Sequence, residues 1–187
     1  MFKYFIPLLI LAASCSSGHK ADYEVQAELQ MIDTLQQRLQ TVKSWLDRMS
    51  LDEIKERKDI ISHNFEFLEQ EFVEQKITLD EETSRLLDEY RGYGKLYKRS
   101  LDSFKPIVME TEELFKQLKT LKESAHSKDY KKETFLQYFK KEKEDVITLY
   151  EYAGTVLKPI IDTDLDFERA EKKVEELCQS LKESSEK

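Results

Sequence analysis

The stretch Leu51–Phe72 reads LDEIKERKDIISHNFEFLEQEF and has the most regular apolar pattern in the chain. Its apolar positions are Leu51, Ile54, Ile61, Phe65, Leu68 and Phe72, which are separated by three or four residues except for one step of seven between Ile54 and Ile61. This spacing predicts a helix that packs on partner helices along its whole length. Lys58 fills the remaining position of the seam. Its side chain either extends from the edge of the seam to water or fixes the register between helices.

Four further segments show apolar residues at helical spacing. The chain holds only four Gly and three Pro, which is typical of helical proteins. We therefore expect an all-α fold, an elongated antiparallel helical bundle or coiled coil of about five helices, within a single domain of residues 24–187. Besides the helix that starts at Leu51, the predicted helices are about Asp22–Met49, Leu79–Lys122, Lys132–Leu157 and Asp164–Lys182.

Three positions predict where helices are interrupted. Ser50-Leu51-Asp52-Glu53 has the form of a capping box, and Thr78-Leu79-Asp80-Glu81 has a similar form. Each marks either a turn or a kink. Pro106 lacks a backbone donor and clashes with the preceding turn, so it is expected to kink or end the third helix.

The first fifteen residues, MFKYFIPLLILAASC, have the pattern of a secretory signal peptide. Lys3 precedes an apolar run that ends in small residues. The run is shorter than the roughly 20 residues needed to span a bilayer. Residues 1–14 are therefore predicted to be a targeting segment.

Leu11-Ala-Ala-Ser-Cys15 resembles the lipobox of bacterial lipoproteins. The resemblance implies cleavage before Cys15, which would carry diacylglycerol on sulfur and an acyl chain such as palmitate on nitrogen. Residues 15–23 would then form a lipidated tether to the membrane. Members of this family with aspartate after the cysteine are retained in the inner membrane of enteric bacteria. Ser16 stands there instead, so the outer membrane is favoured if the source is Gram-negative. No motif in residues 24–187 points to a known family.

The formal net charge of −8 argues against nucleic acid as a partner and against a body held flat on anionic lipid. With Cys15 lipidated, Cys178 would have no partner within the chain. It is either a thiol packed beside the helix stripe or one half of an intermolecular disulfide, as in a homodimer.

The stretch Tyr90–Arg99 is the candidate partner-binding site. It concentrates cations, tyrosines and two glycines in an acid-rich chain, with the candidate residues Tyr90, Arg91, Tyr93, Lys95, Tyr97, Lys98 and Arg99. A basic aromatic patch suits an anionic protein or glycan partner. Alternatively, the tyrosines lie in the core, the glycines lie where another helix crosses closely, and the cations face water.

The sequence lacks recognisable catalytic motifs. Glu123 and His126 match one half of a di-iron helical site, but the second Glu-x-x-His unit is missing. Asp59, His63 and Glu66 share a helix face in a chain rich in carboxylates. Asp162–Asp166 opens like a calcium loop but lacks the required glycine and glutamate, so these acids are expected to cap the last helix. We expect no enzymatic activity, no cofactor and no metal.

These features lead to the hypothesis of a non-enzymatic lipoprotein of the bacterial cell envelope. A helical module, anchored to the membrane through lipid, would bind or space another envelope macromolecule. A self-associating rod is the alternative within the same class. A helical bundle that binds a small ligand or a metal, with His63 or His126 as the group to test, is the alternative from another class.

Overall fold

The computed structural model describes residues 25–127 and 130–185, and all regular structure in these residues is helical. The all-α prediction is confirmed. The helices are α1 (Gln26–Asp47), α2 (Leu51–Gln75), α3 (Glu81–Ser127), α4 (Lys132–Val156), α5 (Lys158–Asp162) and α6 (Asp164–Ser185). The predicted signal peptide and the tether at residues 15–23 lie outside the described residues.

Helix α3 spans the length of the molecule. Its 47 residues correspond to roughly 70 Å at 1.5 Å per residue. The other helices run antiparallel to it in two successions, α1 then α2 on one side and α4 to α6 on the other. In α4, for example, the Tyr152 hydroxyl lies 2.7 Å from the Ser103 hydroxyl of α3. One turn later, the Val156 carbonyl accepts a hydrogen bond from the Ser100 hydroxyl at 2.9 Å. The described chain is a three-helix rod.

The rod has two hydrophobic cores, placed end to end. The proximal bundle comprises α1, the C-terminal half of α3 and α4, and its core centres on Leu39, Leu118 and Phe135. The distal bundle comprises α2, the N-terminal half of α3 and α6, and its core centres on Tyr90 and Phe167. Met49 packs against both cores. We call the end of the rod where α1 begins the proximal end and the end with the α2–α3 turn the distal end.

Both capping signatures mark turns, although the second caps at a different residue from the one expected. The Ser50 hydroxyl accepts a hydrogen bond from the Glu53 amide at 3.3 Å, so α2 begins afresh after α1. At the distal end Asp80, two residues beyond Thr78, accepts the Thr83 amide at 2.8 Å. The turn itself starts at Lys76, which has left-handed backbone angles (φ 53°, ψ 41°) and ends α2.

Pro106 does not end the third helix. Helix α3 continues through it to Ser127, five residues beyond the predicted end. Both Pro106 and Asp102, whose carbonyl loses its helical donor at the proline, are exposed. Water can satisfy that carbonyl, while the buried face on both sides of the proline packs on the other helices.

The sequence allowed for the observed position of the Lys58 side chain, but it did not predict helix α5. The Lys58 side chain extends to the edge of its seam, where its Nζ lies 2.7 Å from the Asp59 carboxylate. This agrees with the first of the two interpretations of Lys58. The short helix α5 was not expected, and it arises because Pro159 ends α4 and starts a new turn.

The two glycines of α3 give a matched test of how closely α2 crosses it. A Cβ at Gly94 would lie 3.1 Å from Ile61 Cγ2, whereas a Cβ at Gly92 would meet nothing within 4 Å. Gly94→Leu should lower the free energy of unfolding by about 1–3 kcal/mol through overpacking. Gly92→Leu should raise it by about 0.5–1 kcal/mol through helix propensity. Urea unfolding followed by helical circular dichroism measures both, and equal effects of the two variants would contradict the close crossing.

Candidate functional site

The three tyrosines of the predicted binding stretch lie in the distal core. They surround the Phe167 ring of α6, with ring centroids 6.0 Å away for Tyr90, 5.5 Å for Tyr93 and 5.3 Å for Tyr97. All three are buried. A partner that binds the folded rod therefore cannot use their rings, and the core interpretation of these residues agrees with the structure.

The hydroxyls of these tyrosines reach polar partners at the rim of the core. The Tyr90 hydroxyl accepts a bond from Asn64 at 3.1 Å, the Tyr93 hydroxyl donates to Glu89 at 3.1 Å, and the Arg57 guanidinium lies close enough to Tyr97 to oppose the rise of its pKa. Burial raises the pKa of all three hydroxyls, that of Tyr93 to about 12. They remain protonated at neutral pH, which suits packing and not acid–base chemistry.

The four cations of the stretch divide into two pairs. Arg91 lies over the Phe65 ring at 4.8 Å, and Arg99 lies over the Tyr152 ring at 5.8 Å. Lys95 and Lys98 are exposed, and neither forms an ion pair with a described residue. Because Arg91, Lys95 and Lys98 are spaced by four and three residues, they share one outward face of α3. We call these three residues the cation stripe.

Arg57 of α2 joins all three helices of the distal bundle. Its guanidinium pairs with Glu53 at 2.7 Å and with Asp164 at the start of α6. It also lies 5.0 Å from the centre of the Phe167 ring, and its charge acts on the Tyr97 hydroxyl of α3. Sequence analysis placed Asp164 correctly as a residue at the start of the last helix. It missed the partner, because the two residues are 107 positions apart.

The charge is distributed unevenly along the rod. At the distal end, residues 66–89 and 174–185 hold twelve acidic side chains against three basic ones. At the proximal end, residues 25–36, 115–127 and 131–140 hold four acidic side chains against six basic ones. The net negative charge of the chain is therefore concentrated at one end. Within this acidic end Val73 is 77% exposed.

A groove with an apolar floor lies between α1 and α3 in the proximal bundle. It has a volume of about 550 Å³ and is open to solvent, with an apolar floor of Leu46, Phe104, Val108 and Phe115. Charged residues of both signs form its rim, including Lys43, Asp47, Glu112 and Lys116. No catalytic constellation lines it.

The other residues that the sequence suggested for metal or thiol chemistry lie on three different helices. His63 and His126 are exposed, on α2 and near the end of α3. Among the described residues no three or more His, Cys, Asp or Glu side chains are arranged to hold a metal ion. Cys178 is buried, and burial raises the pKa of its thiol. This position fits the packed-thiol interpretation.

Sequence analysis missed a buried acid in the proximal bundle. Glu142 lies on the buried face of α4, between Phe139 and Val146. The signal was present in the sequence, because the predicted stripe of α4 skips from Phe139 to Val146. A gap of seven residues in such a stripe leaves one core position unassigned.

Comparison with known proteins gave no match, whether to family models, to curated proteins or to solved structures. Within the described residues, no helix combines the length and the apolar character required to cross a bilayer. Inference about function therefore depends on the geometry and the charge of this chain.

Arg57 and Arg91 form a matched pair for testing the distal network. Both lie over an aromatic ring, but the Arg57 side chain is 16% exposed and that of Arg91 is 50% exposed. Arg57→Ala should lower the free energy of unfolding by about 2–3 kcal/mol, because it removes a partly buried cation shared by three helices. Arg91→Ala should cost less than about 1 kcal/mol. Thermal unfolding of both variants checks the difference, and equal losses would show that Arg57 has no special role.

Proposed function

We propose that this protein is a non-enzymatic, lipid-anchored rod of the bacterial cell envelope, which holds its distal end away from the membrane to bind a basic partner. The lipobox-like Leu11–Cys15 supports the anchor. The first described helix begins at the proximal end, so an anchor at Cys15 would attach to that end through residues 16–24.

The geometry sets how far the distal end reaches. The rod is roughly 70 Å long, and the nine residues 16–24 extend at most about 30 Å. A partner at the distal end would thus be met well outside the headgroup region. The acyl chains alone supply stable attachment, because each buried methylene contributes about 0.8 kcal/mol and two chains suffice.

The polarity of charge along the rod is the observation that carries this proposal. An anionic membrane surface attracts basic residues by about 1 kcal/mol each and repels acidic ones. The proximal end has a small basic excess, whereas the distal end holds twelve acids against three bases. Attraction of the basic proximal end and repulsion of the acidic distal end both favour a rod that stands with its proximal end at the bilayer.

The same asymmetry indicates the chemistry of the partner. A surface rich in carboxylates with an exposed Val73 suits a basic segment that carries an apolar side chain. The cation stripe is a second candidate surface, for an acidic partner, since Lys95 and Lys98 are exposed and unpaired among the described residues. Side-by-side self-association in one membrane would bring two acidic distal ends together, which electrostatics disfavours.

Energy transfer in vesicles tests the orientation. Donor dyes are placed on Val73→Cys at the distal end or on Gln137→Cys at the proximal end, each in a Cys178→Ser background. The lipidated protein is reconstituted in vesicles with acceptor-labelled headgroups. We expect strong transfer from position 137 and weak transfer from position 73, since helix length separates the two levels. Equal transfer would mean that the rod lies flat, and vesicle binding by a Cys15→Ser control would mean that lipid is not the anchor.

Photocrosslinking in the native cell tests the partner surface. A photoreactive residue at Val73 should capture a discrete species, whereas one at Lys98 should not. Glu69→Gln with Glu74→Gln should reduce the capture at least about twofold, because each exposed ion pair contributes roughly 0.2–1 kcal/mol. Lys95→Gln with Lys98→Gln is the matched control and should leave the capture unchanged. If only the photoreactive residue at position 98 captures a species, and adding Lys95→Gln abolishes that capture, the partner is acidic and the proposal of a basic partner is wrong.

A further inference from the structure

The buried stripe of α4 contains one charged residue. Glu142 occupies the core position between Phe139 and Val146 and is only 6% exposed. Ionised carboxylates are rarely buried to this extent without a partner, because removing the charge from water is costly.

The carboxylate of Glu142 is poorly compensated. Its Oε2 atom is buried and has no hydrogen-bond partner. Lys141 Nζ lies 3.8 Å from Oε1, which is too long for a hydrogen bond. The same ammonium lies only 2.9 Å from Asp145 Oδ2, so its stronger interaction is with Asp145.

The charged groups on the packed helices do not neutralise Glu142. From α3, Glu113 adds a further negative charge, and Glu110 faces Asp145. From α1, Asp33 pairs with Lys122 at 2.5 Å, and the Arg38 guanidinium lies over the Tyr150 ring. Lys141 is therefore the one cation that acts on Glu142 in this part of the described structure.

Burial raises the pKa of Glu142 above its ordinary value of 4.5, and Asp145 and Glu113 raise it further while Lys141 opposes them. The folded proximal bundle thus binds this proton more tightly than the unfolded chain does. The contribution of Glu142 to the stability of the bundle falls as the pH rises from 4.5 through the folded pKa, and it remains lower at higher pH.

We propose that Glu142 makes the proximal bundle a proton-controlled joint, in which the ionised carboxylate loosens the packing of α4 on α1 and α3 and protonation tightens it. In the lipid-anchored rod, this joint would lie between the anchor and the distal end, a consequence that rests on the proposed function. The rod would be stiffer in mildly acidic surroundings than at neutral pH.

Hydrogen exchange on the mature chain in detergent micelles tests the joint. After correction for the intrinsic pH dependence of exchange, amides 138–146 of α4 should be at least about threefold better protected at pH 5 than at pH 7.5. Glu142→Gln should already show the higher protection at pH 7.5 and lose the response to pH.

Glu144→Gln is the matched control. It makes the same chemical change two residues away, on a side chain that is 67% exposed, and it should keep the wild-type response. A Glu142→Gln variant that keeps the full response, or a Glu144→Gln variant that loses it, overturns the proposal.

Carboxyl ¹³C NMR on the unsubstituted chain provides a test that does not depend on the folding of a variant. The Glu142 carboxyl should titrate with a midpoint above 4.5, and a midpoint at or below 4.5 overturns the proposal. Neither measurement involves a membrane or a partner. Failure here would therefore leave the proposed function untouched, and failure of the vesicle test would leave the proton-controlled joint untouched.

Discussion

The unbroken helix α3 is the constraint on which the rest of the structure depends. A helix of this length cannot bury its apolar stripe against one partner helix of ordinary size, so two helices in succession cover each side of it. The break at Ser50 and the short helix α5 are the places where one covering helix gives way to the next. The two cores, the junction at Met49 and the length of the rod all follow from this arrangement.

The charges of Arg57 in the distal bundle and of Glu142 in the proximal bundle are compensated to different degrees. In the distal bundle Arg57 meets Glu53, Asp164, the Tyr97 hydroxyl and the Phe167 ring, so its charge is shared among helices. In the proximal bundle Glu142 has an unpartnered oxygen and acidic neighbours. Compensated buried charge favours one unique packing, whereas uncompensated charge lowers stability. Arg57 therefore helps to hold the helices of the distal bundle together, whereas ionised Glu142 lowers the stability of the proximal bundle.

Charge polarity connects the fold to the proposed function. The acidic residues of the distal end come from the end of α2, the start of α3 and the end of α6, which are far apart in sequence. The antiparallel packing brings them to one end of the rod. The cation stripe lies nearer the middle of α3, so the chain offers surfaces of opposite charge at different distances from the proposed anchor.

Local pattern alone determined the helices. Apolar residues at helical spacing with few Gly and Pro led to the five longer helices, and Ser50 marked a true cap because a capping box acts within one turn. The targeting pattern in residues 1–15 also belongs to the sequence alone. Tertiary structure decided the rest, because it depends on contacts between distant positions. It carried α3 through Pro106, since packing on both sides outweighs one exposed missing hydrogen bond. It placed the tyrosines of the candidate site around Phe167, paired Arg57 with Asp164, and left one oxygen of Glu142 without a hydrogen-bond partner, because burial and partners are properties of the assembled helices.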